Sequence, residues 1–361
     1  MAKKLAFDKV LFAVIIILLA IGLTMVYSAT STVGRDNPGG RNPFVVKQAI
    51  AALIGLVGMW LAMHVDYRIF RKRPAAYLAL AAVMSLLALA LFQPALNGTK
   101  RWILIGGMSF QPSELAKLAV VLYIAYQVAR QQERESIHEL LVPCISVIAI
   151  LSGFVMLQPD MGTAGLVAIA GAIMLFLAGV PWRFFLGGAA AVIPLVWLAV
   201  RYEPYRWQRV TAFLNPEADP LGAGFQADQS LVAVGSGGLF GLGLGESIQK
   251  LHYLPYPQSD FIYSIVAEEL GLIGALTLLA LFGVLLWRGV RAGLEAPDVF
   301  GRHLAWGLTS LVVVQALLHI SVALSVVPTT GVPLPFLSAG GSSLIATLVA
   351  CGLLLNVSQH A

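Results

Sequence analysis

Apolar residues fall along this chain in long runs bounded by charge, proline or glycine. Ten runs are long enough to cross a hydrocarbon core about 30 Å thick as helix. They predict spans over residues 10–28, 44–63, 75–92, 113–130, 139–157, 162–179, 183–200, 261–287, 302–324 and 337–357. The basic start from Met1 to Lys9 imitates a secretory leader, but the run behind it is too long and more spans follow, so it reads as an uncleaved first helix. Between the seventh and eighth runs, residues 201–260 make a connection far longer than the usual few-residue loop. Its aromatics (Trp207, Phe213, Phe225, Tyr253, Tyr256) and the glycine cluster from Gly235 to Gly245 predict short interfacial helices rather than a floppy linker. The expected fold is an all-α integral membrane protein: one polytopic domain over 1–361, a bundle of about ten transmembrane helices with a long outer-face loop between helices 7 and 8.

Composition agrees, with 58% hydrophobic and only 11% charged residues, where a soluble domain carries about 25% charged. Cys144 and Cys351 both lie inside apolar runs, which argues against a disulfide framework or a thiolate metal site. The net charge of +5 is modest, and its placement speaks to topology rather than to nucleic acid. With the N-terminus inside, thirteen Lys and Arg face the cytoplasm, among them Lys3, Lys4, Arg68, Arg71, Arg134 and Arg302. The short outer segments hold five: Arg35, Arg41, Lys47, Lys100 and Arg101. That asymmetry puts both termini in the cytoplasm. The stretch SGGLFGLGLG from Ser236 lacks the strand-to-helix setting of a phosphate-binding loop, so no nucleotide cofactor is implied.

Ionisable groups inside a bundle are costly and are functional candidates by default. Glu114 and Lys117, in QPSELAK, share one helix face at i, i+3 as an intramembrane pair, either neutralising each other or serving a polar ligand. NGTKRWI supplies Lys100 and Arg101 beside Trp102, suited to a lipid pyrophosphate or to simple headgroup anchoring. Asp160, in QPDMGT, is placed to cap the sixth span. In YLPYPQSDFIYSIVAEELG, Asp260 ends the long loop, while Glu268 and Glu269 lie two turns into the next span. Asp260 and Glu268 are about 12 Å apart along a helix and cannot share one proton. Asp260, at the water interface, is the better general base for attack by a sugar hydroxyl, although its type also suits a helix N-cap. The charge developing on a leaving pyrophosphate would fall to Lys100, Arg101, Arg206, Arg209 or a divalent cation. PTTGVPLPFLSAGGSS from Pro328 is too broken for helix, and such backbone survives at membrane depth only when buried in protein or lining a cavity. Ser338, Ser342 and Ser343 there would suit a polar substrate.

These six segments, NGTKRWI, QPSELAK, QPDMGT, FQADQSLVAVGSGGLFGLGLG, SDFIYSIVAEELG and PTTGVPLPFLSAGGSS, resemble the SEDS (shape, elongation, division and sporulation) peptidoglycan glycosyltransferases in order and outer-face placement. The resemblance runs from about residue 10 to 357 and looks nearer to the rod-shape protein RodA than to its division counterpart FtsW. It implies an inner-membrane enzyme of the elongation machinery that polymerises lipid II into a growing glycan strand beside a class B penicillin-binding protein. A divalent cation, magnesium or manganese, is compatible. Asp260 matches the family's essential loop aspartate, and Lys100, Arg101, Glu114, Lys117 and Asp160 match polar positions of its central cavity. His319, where relatives often carry Asn, and Ala339, where they often carry Tyr, depart from the pattern. A lipid II flippase or a non-catalytic scaffold would use the same bundle, but carboxylates and broken segments crowded on the outer side favour surface chemistry over transport.

Overall fold

A computed structural model describes residues 7–31, 42–96, 98–105, 108–131, 136–215, 222–251 and 253–360. Lys3, Lys4, Arg35, Arg41 and Arg134 of the charge asymmetry, and Asn97 of NGTKRWI, lie outside them. Each of the ten predicted spans is a helix: α1 (Lys9–Ala29), α2 (Pro43–His64), α3 (Arg73–Leu91), α4 (Pro112–Gln131), α5 (His138–Leu157), α6 (Met161–Leu177), α7 (Trp182–Arg201), α10 (Ile262–Glu295), α11 (Val299–Ala323) and α12 (Gly341–Ser358). Eight are long and apolar enough to cross a membrane on composition alone. The others are α4, which carries Glu114, Lys117 and Arg130, and the 17-residue α6.

Burial explains how α4 tolerates its charges. Almost every residue from Pro112 to Val128 is buried, and the helix is surrounded by α3, α5, α6 and α11. The bundle interior, not lipid, is its solvent. α12 lies along α2 at a distance that small residues permit, since a Cβ on Gly352 would sit 2.5 Å from the Met59 carbonyl. α7 buries none of its residues and packs chiefly on the helix that follows it.

The long connection does form short helices, α8 (Pro204–Leu214) and α9 (Ala223–Ser236). A two-stranded antiparallel hairpin was not expected: β1 (Ile103–Ile105) pairs with β2 (Met108–Phe110), Ile103 opposite Phe110. At the end of the bundle away from Asp260, polar bonds tie distant elements together. Asp8 caps α1 and pairs with Arg288 at 2.5 Å. Asn356 donates to the Met63 carbonyl and accepts from the Tyr67 amide.

Candidate functional site

The site is built on two interruptions of helix. In the first, α10 breaks at Gly271, whose φ of 67° and ψ of −168° belong to a region open essentially only to glycine. A break inside a membrane strands backbone groups, and here the glycine loop after α9 takes them up. The Leu242 and Gly243 amides donate to the carbonyls of Glu268 and Glu269, and the Leu272 and Ile273 amides donate to those of Gly238 and Leu239. The approach needs glycine, because a Cβ on Gly241 would lie 2.1 Å from the Glu269 carbonyl oxygen.

Glu268 and Glu269 hold this loop with their side chains as well. Glu268 accepts from the Ser247 hydroxyl at 2.5 Å and the Ile248 amide at 2.9 Å. Glu269 accepts from Ser28 at 2.7 Å and pairs with Lys250 at 2.9 Å, both partners fully buried. The two glutamates are therefore anchors between α1, α10 and the loop.

The second interruption is the segment between α11 and α12. His319 faces the Val332 carbonyl through Nδ1 at 2.8 Å, and Gln315 donates to the Pro333 carbonyl at 2.8 Å. The Ser338 hydroxyl donates to the Ser259 carbonyl at 2.6 Å and accepts from the Leu334 amide, while the Ala339 amide donates to the Gln258 carbonyl. Gln48 of α2 holds the far side, donating to the Ser338 carbonyl and accepting from the Gly340 amide. The segment thus stitches α2, α11, α12 and the end of the long loop together, and it sets Asp260 against Gly331, where a Cβ would lie 3.7 Å from the carboxylate.

Asp260 is not a helix cap. The capping position of α10 is Phe261, and it makes no side-chain cap bond. The carboxylate is free of that structural duty. Packing around it pushes its pKa above the ordinary value, against the opposing pull of the Ser259 hydroxyl and the positive charges of Arg209 and Arg101. Arg209 is oriented by donating to the Thr329 carbonyl at 3.0 Å and to the Tyr205 hydroxyl.

Arg101 also lies 3.6 Å from Asp160, which is buried. Asp160 caps α6, accepting from the Thr163 amide and hydroxyl, and takes a further bond from Gln111 at 2.8 Å. The hairpin explains how Arg101 and Gln111 arrive together: they flank β1 and β2, whose pairing closes one on the other. Ser342 braces that hairpin, donating to the Ser109 carbonyl and accepting from the Gln111 amide. Deeper in the bundle, Lys117 lies 2.8 Å from Glu114 and donates to Gln315 at 2.7 Å, so the buried pair is linked through Gln315 to the broken segment.

Arg101, Asp160 and Asp260 are thereby brought into one neighbourhood with Arg209, and Glu114 with Lys117 beneath the broken segment. Lys100, next to Arg101, is exposed. The hydroxyls of Ser338 and Ser342 are engaged within the protein, whereas the buried Ser343 hydroxyl has no partner among the described residues. Gln111, Gln315 and Gln48 had no role assigned from the sequence; the available signals were glutamines inside apolar runs for Gln48 and Gln315 and the head of QPSELAK for Gln111. Among the described residues no three His, Cys, Asp or Glu side chains converge on a point that would hold a metal.

The sequence pattern of the cell cycle protein family FtsW/RodA/SpoVE matches residues 8–361. Stage V sporulation protein E of Bacillus subtilis is 42% identical over 99% of this chain and 98% of its own length. A probable peptidoglycan glycosyltransferase FtsW of Trichlorobacter lovleyi is 41% identical over 98% and 93%. Among solved structures, a chain from a study of how a peptidoglycan synthase complex coordinates polymerization and crosslinking superposes with a TM-score of 0.79, at 32% identity and 98% coverage of both chains. The rod shape determining protein RodA of Thermus thermophilus gives 0.72 at 29% identity, over 98% of this chain and 97% of its own. The expected leaning towards RodA is not favoured, since the more similar relatives carry division and sporulation names; the chain belongs to the FtsW/RodA/SpoVE family.

Proposed function

We propose that this chain is an inverting peptidoglycan glycosyltransferase that polymerises lipid II, with Asp260 as its general base. The observation that carries this reading is a carboxylate with no capping duty, raised in pKa and set beside Arg101 and Arg209 against the broken segment. In the reaction the acceptor sugar hydroxyl attacks the donor's anomeric carbon and gives its proton to Asp260. The bond from that carbon to the pyrophosphate oxygen breaks, and its electron pair leaves with the lipid pyrophosphate. Arg101 and Arg209 are placed to offset that charge, with Lys100 at the rim as a first contact for phosphate. Asp160 and Gln111 position Arg101. Glu114, Lys117 and Ser343 offer polar atoms beneath the broken segment for the sugar or peptide portion.

Among the described residues a magnesium or manganese ion has no preformed cage, so it would be held mostly by pyrophosphate oxygens, as magnesium is at many phosphate sites. We assign no step to it. Likeness to a chain of a peptidoglycan synthase complex supports a crosslinking class B penicillin-binding protein as partner. The FtsW and stage V sporulation relatives favour a role in division or sporulation over elongation.

Lipid II offered to the purified protein and its partner in detergent micelles separates enzyme from flippase, because micelles have no second leaflet. Glycan polymer is the expected product; micelles that yield none while vesicles show lipid II crossing would establish the transporter. A fluorescent fusion confined to the septum would support the division assignment, and one spread along the side wall would return it to elongation.

A further inference from the structure

The end of the bundle opposite Asp260 carries a cleft of about 250 Å³ that the reaction does not use. Its walls are Arg71, at the end of a 3-10 helix (Tyr67–Arg71), Ala129 near the end of α4, and the turn from α10 into α11 with Pro297, Asp298 and Arg302. The charges in this cleft do not balance internally. Asp298 is fully engaged: one oxygen accepts from the Gly301 amide, and the other accepts from the Tyr67 hydroxyl at 2.7 Å and lies 3.3 Å from Arg68. Among the described residues, Arg71 and Arg302 have no carboxylate within ion-pair distance and the buried Nε of Arg302 has no hydrogen-bond partner. Val299 and Phe300, also in the wall, are the first residues of α11, whose amides lack acceptors within the helix.

Two guanidinium groups with no carboxylate partner among the described residues, an orphaned buried N–H and a helix N-terminus lining one concavity describe an anion site, and guanidinium forks and free amides are donors suited to phosphate oxygens. The neighbouring residues Arg68, Lys72 and Arg73 place it in the basic belt that the charge asymmetry assigns to the cytoplasmic face. A basic pocket between helices at that depth meets lipid headgroups before it meets free solutes. We propose that this cleft binds the phosphate of an anionic phospholipid headgroup, gripped by Arg71, Arg302 and the first amides of α11. A seated lipid would clasp the 3-10 helix to the α10–α11 turn.

The test is native mass spectrometry of the full chain released from nanodiscs of phosphatidylcholine with phosphatidylglycerol, with inorganic phosphate as a separate probe. Wild type should retain phosphatidylglycerol over phosphatidylcholine, and Arg71→Gln/Arg302→Gln should weaken that retention by about a hundredfold, the loss of two charge-assisted hydrogen bonds to one headgroup. A Lys72→Gln/Arg73→Gln control removes the same charge outside the cleft and should keep most of the retention. Equal loss in both variants, or none in either, would mean only a diffuse lipid shell and overturn the site. Inorganic phosphate binding wild type as well as the lipid does, and failing with the cleft variant, would overturn the lipid assignment in favour of a soluble anion. Melting temperatures of both variants in phosphatidylcholine alone guard against misfolding; if the cleft variant is unfolded there, Arg302→Lys, which keeps charge but loses the fork, replaces it and should lose part of the retention.

Discussion

Asp260 decides between chemistry and architecture because its carboxylate caps nothing, so its removal should cost activity and not the fold. Asp260→Asn should lower polymerisation by about 10² to 10⁴, the usual contribution of a general base, with an unchanged melting temperature in detergent. Packing raises its pKa, and a base works only when deprotonated, so the rate should fall on the acid side at a higher pH than an ordinary aspartate near 3.9 would give. Arg101 and Arg209 pull that pKa down. Arg101→Gln should therefore move the acid limb further up in pH, besides slowing departure of the pyrophosphate. A limb that stays in place would separate Arg101 from the base. Glu269 makes the opposite case: with Lys250 it forms a buried pair, and Glu269→Ala should destabilise the protein by about 3–5 kcal/mol, read as a lower melting temperature. Position at the end of the long loop singled out Asp260 in the sequence but left Glu268 and Glu269 without a role; their partners in α1 and the glycine loop, remote in sequence, supply it.

The helices were legible at the level of elements because apolar runs of membrane length admit almost no other structure. Boundaries drifted where charge and solvent diverge. The eighth span was expected to stop at residue 287, but α10 continues to Glu295, since Arg288 pairs with Asp8 and Arg291 with Glu295 once the helix leaves the apolar zone. The last span begins at Gly341 rather than 337, because residues before it bond to the long loop and α2 instead of to a helix. The hairpin was missed although a glycine pair at 106–107 separates ILI from MSF, a signal the apolar-run reading passed over. That hairpin joins Arg101 to Asp160. The docking of the glycine loop into the α10 break was equally illegible, being a contact between backbone groups and not between residue types. Gly241→Ala should fail on both backbone conformation and space, destabilising by at least the 1–2 kcal/mol typical of a left-handed non-glycine residue. An unchanged melting temperature would mean that the loop does not dock into the break.

Taken whole, the molecule is polarised. One end gathers the broken backbone, Asp260, Asp160 and the arginines that face them; the other gathers ion pairs and a cleft lined by Arg71 and Arg302. A buried core of α4, α11 and α12 joins them, and α7 stands apart with no buried residue. This asymmetry favours chemistry on one face over passage between two. The measurement that tests the central claim most directly is glycan polymerisation from purified lipid II by wild type and Asp260→Asn, in matched amounts with the penicillin-binding partner and magnesium. The account predicts long strands from wild type and a rate lower by about 10² to 10⁴ from a folded Asp260→Asn. Strands made by the variant at the wild-type rate would contradict it.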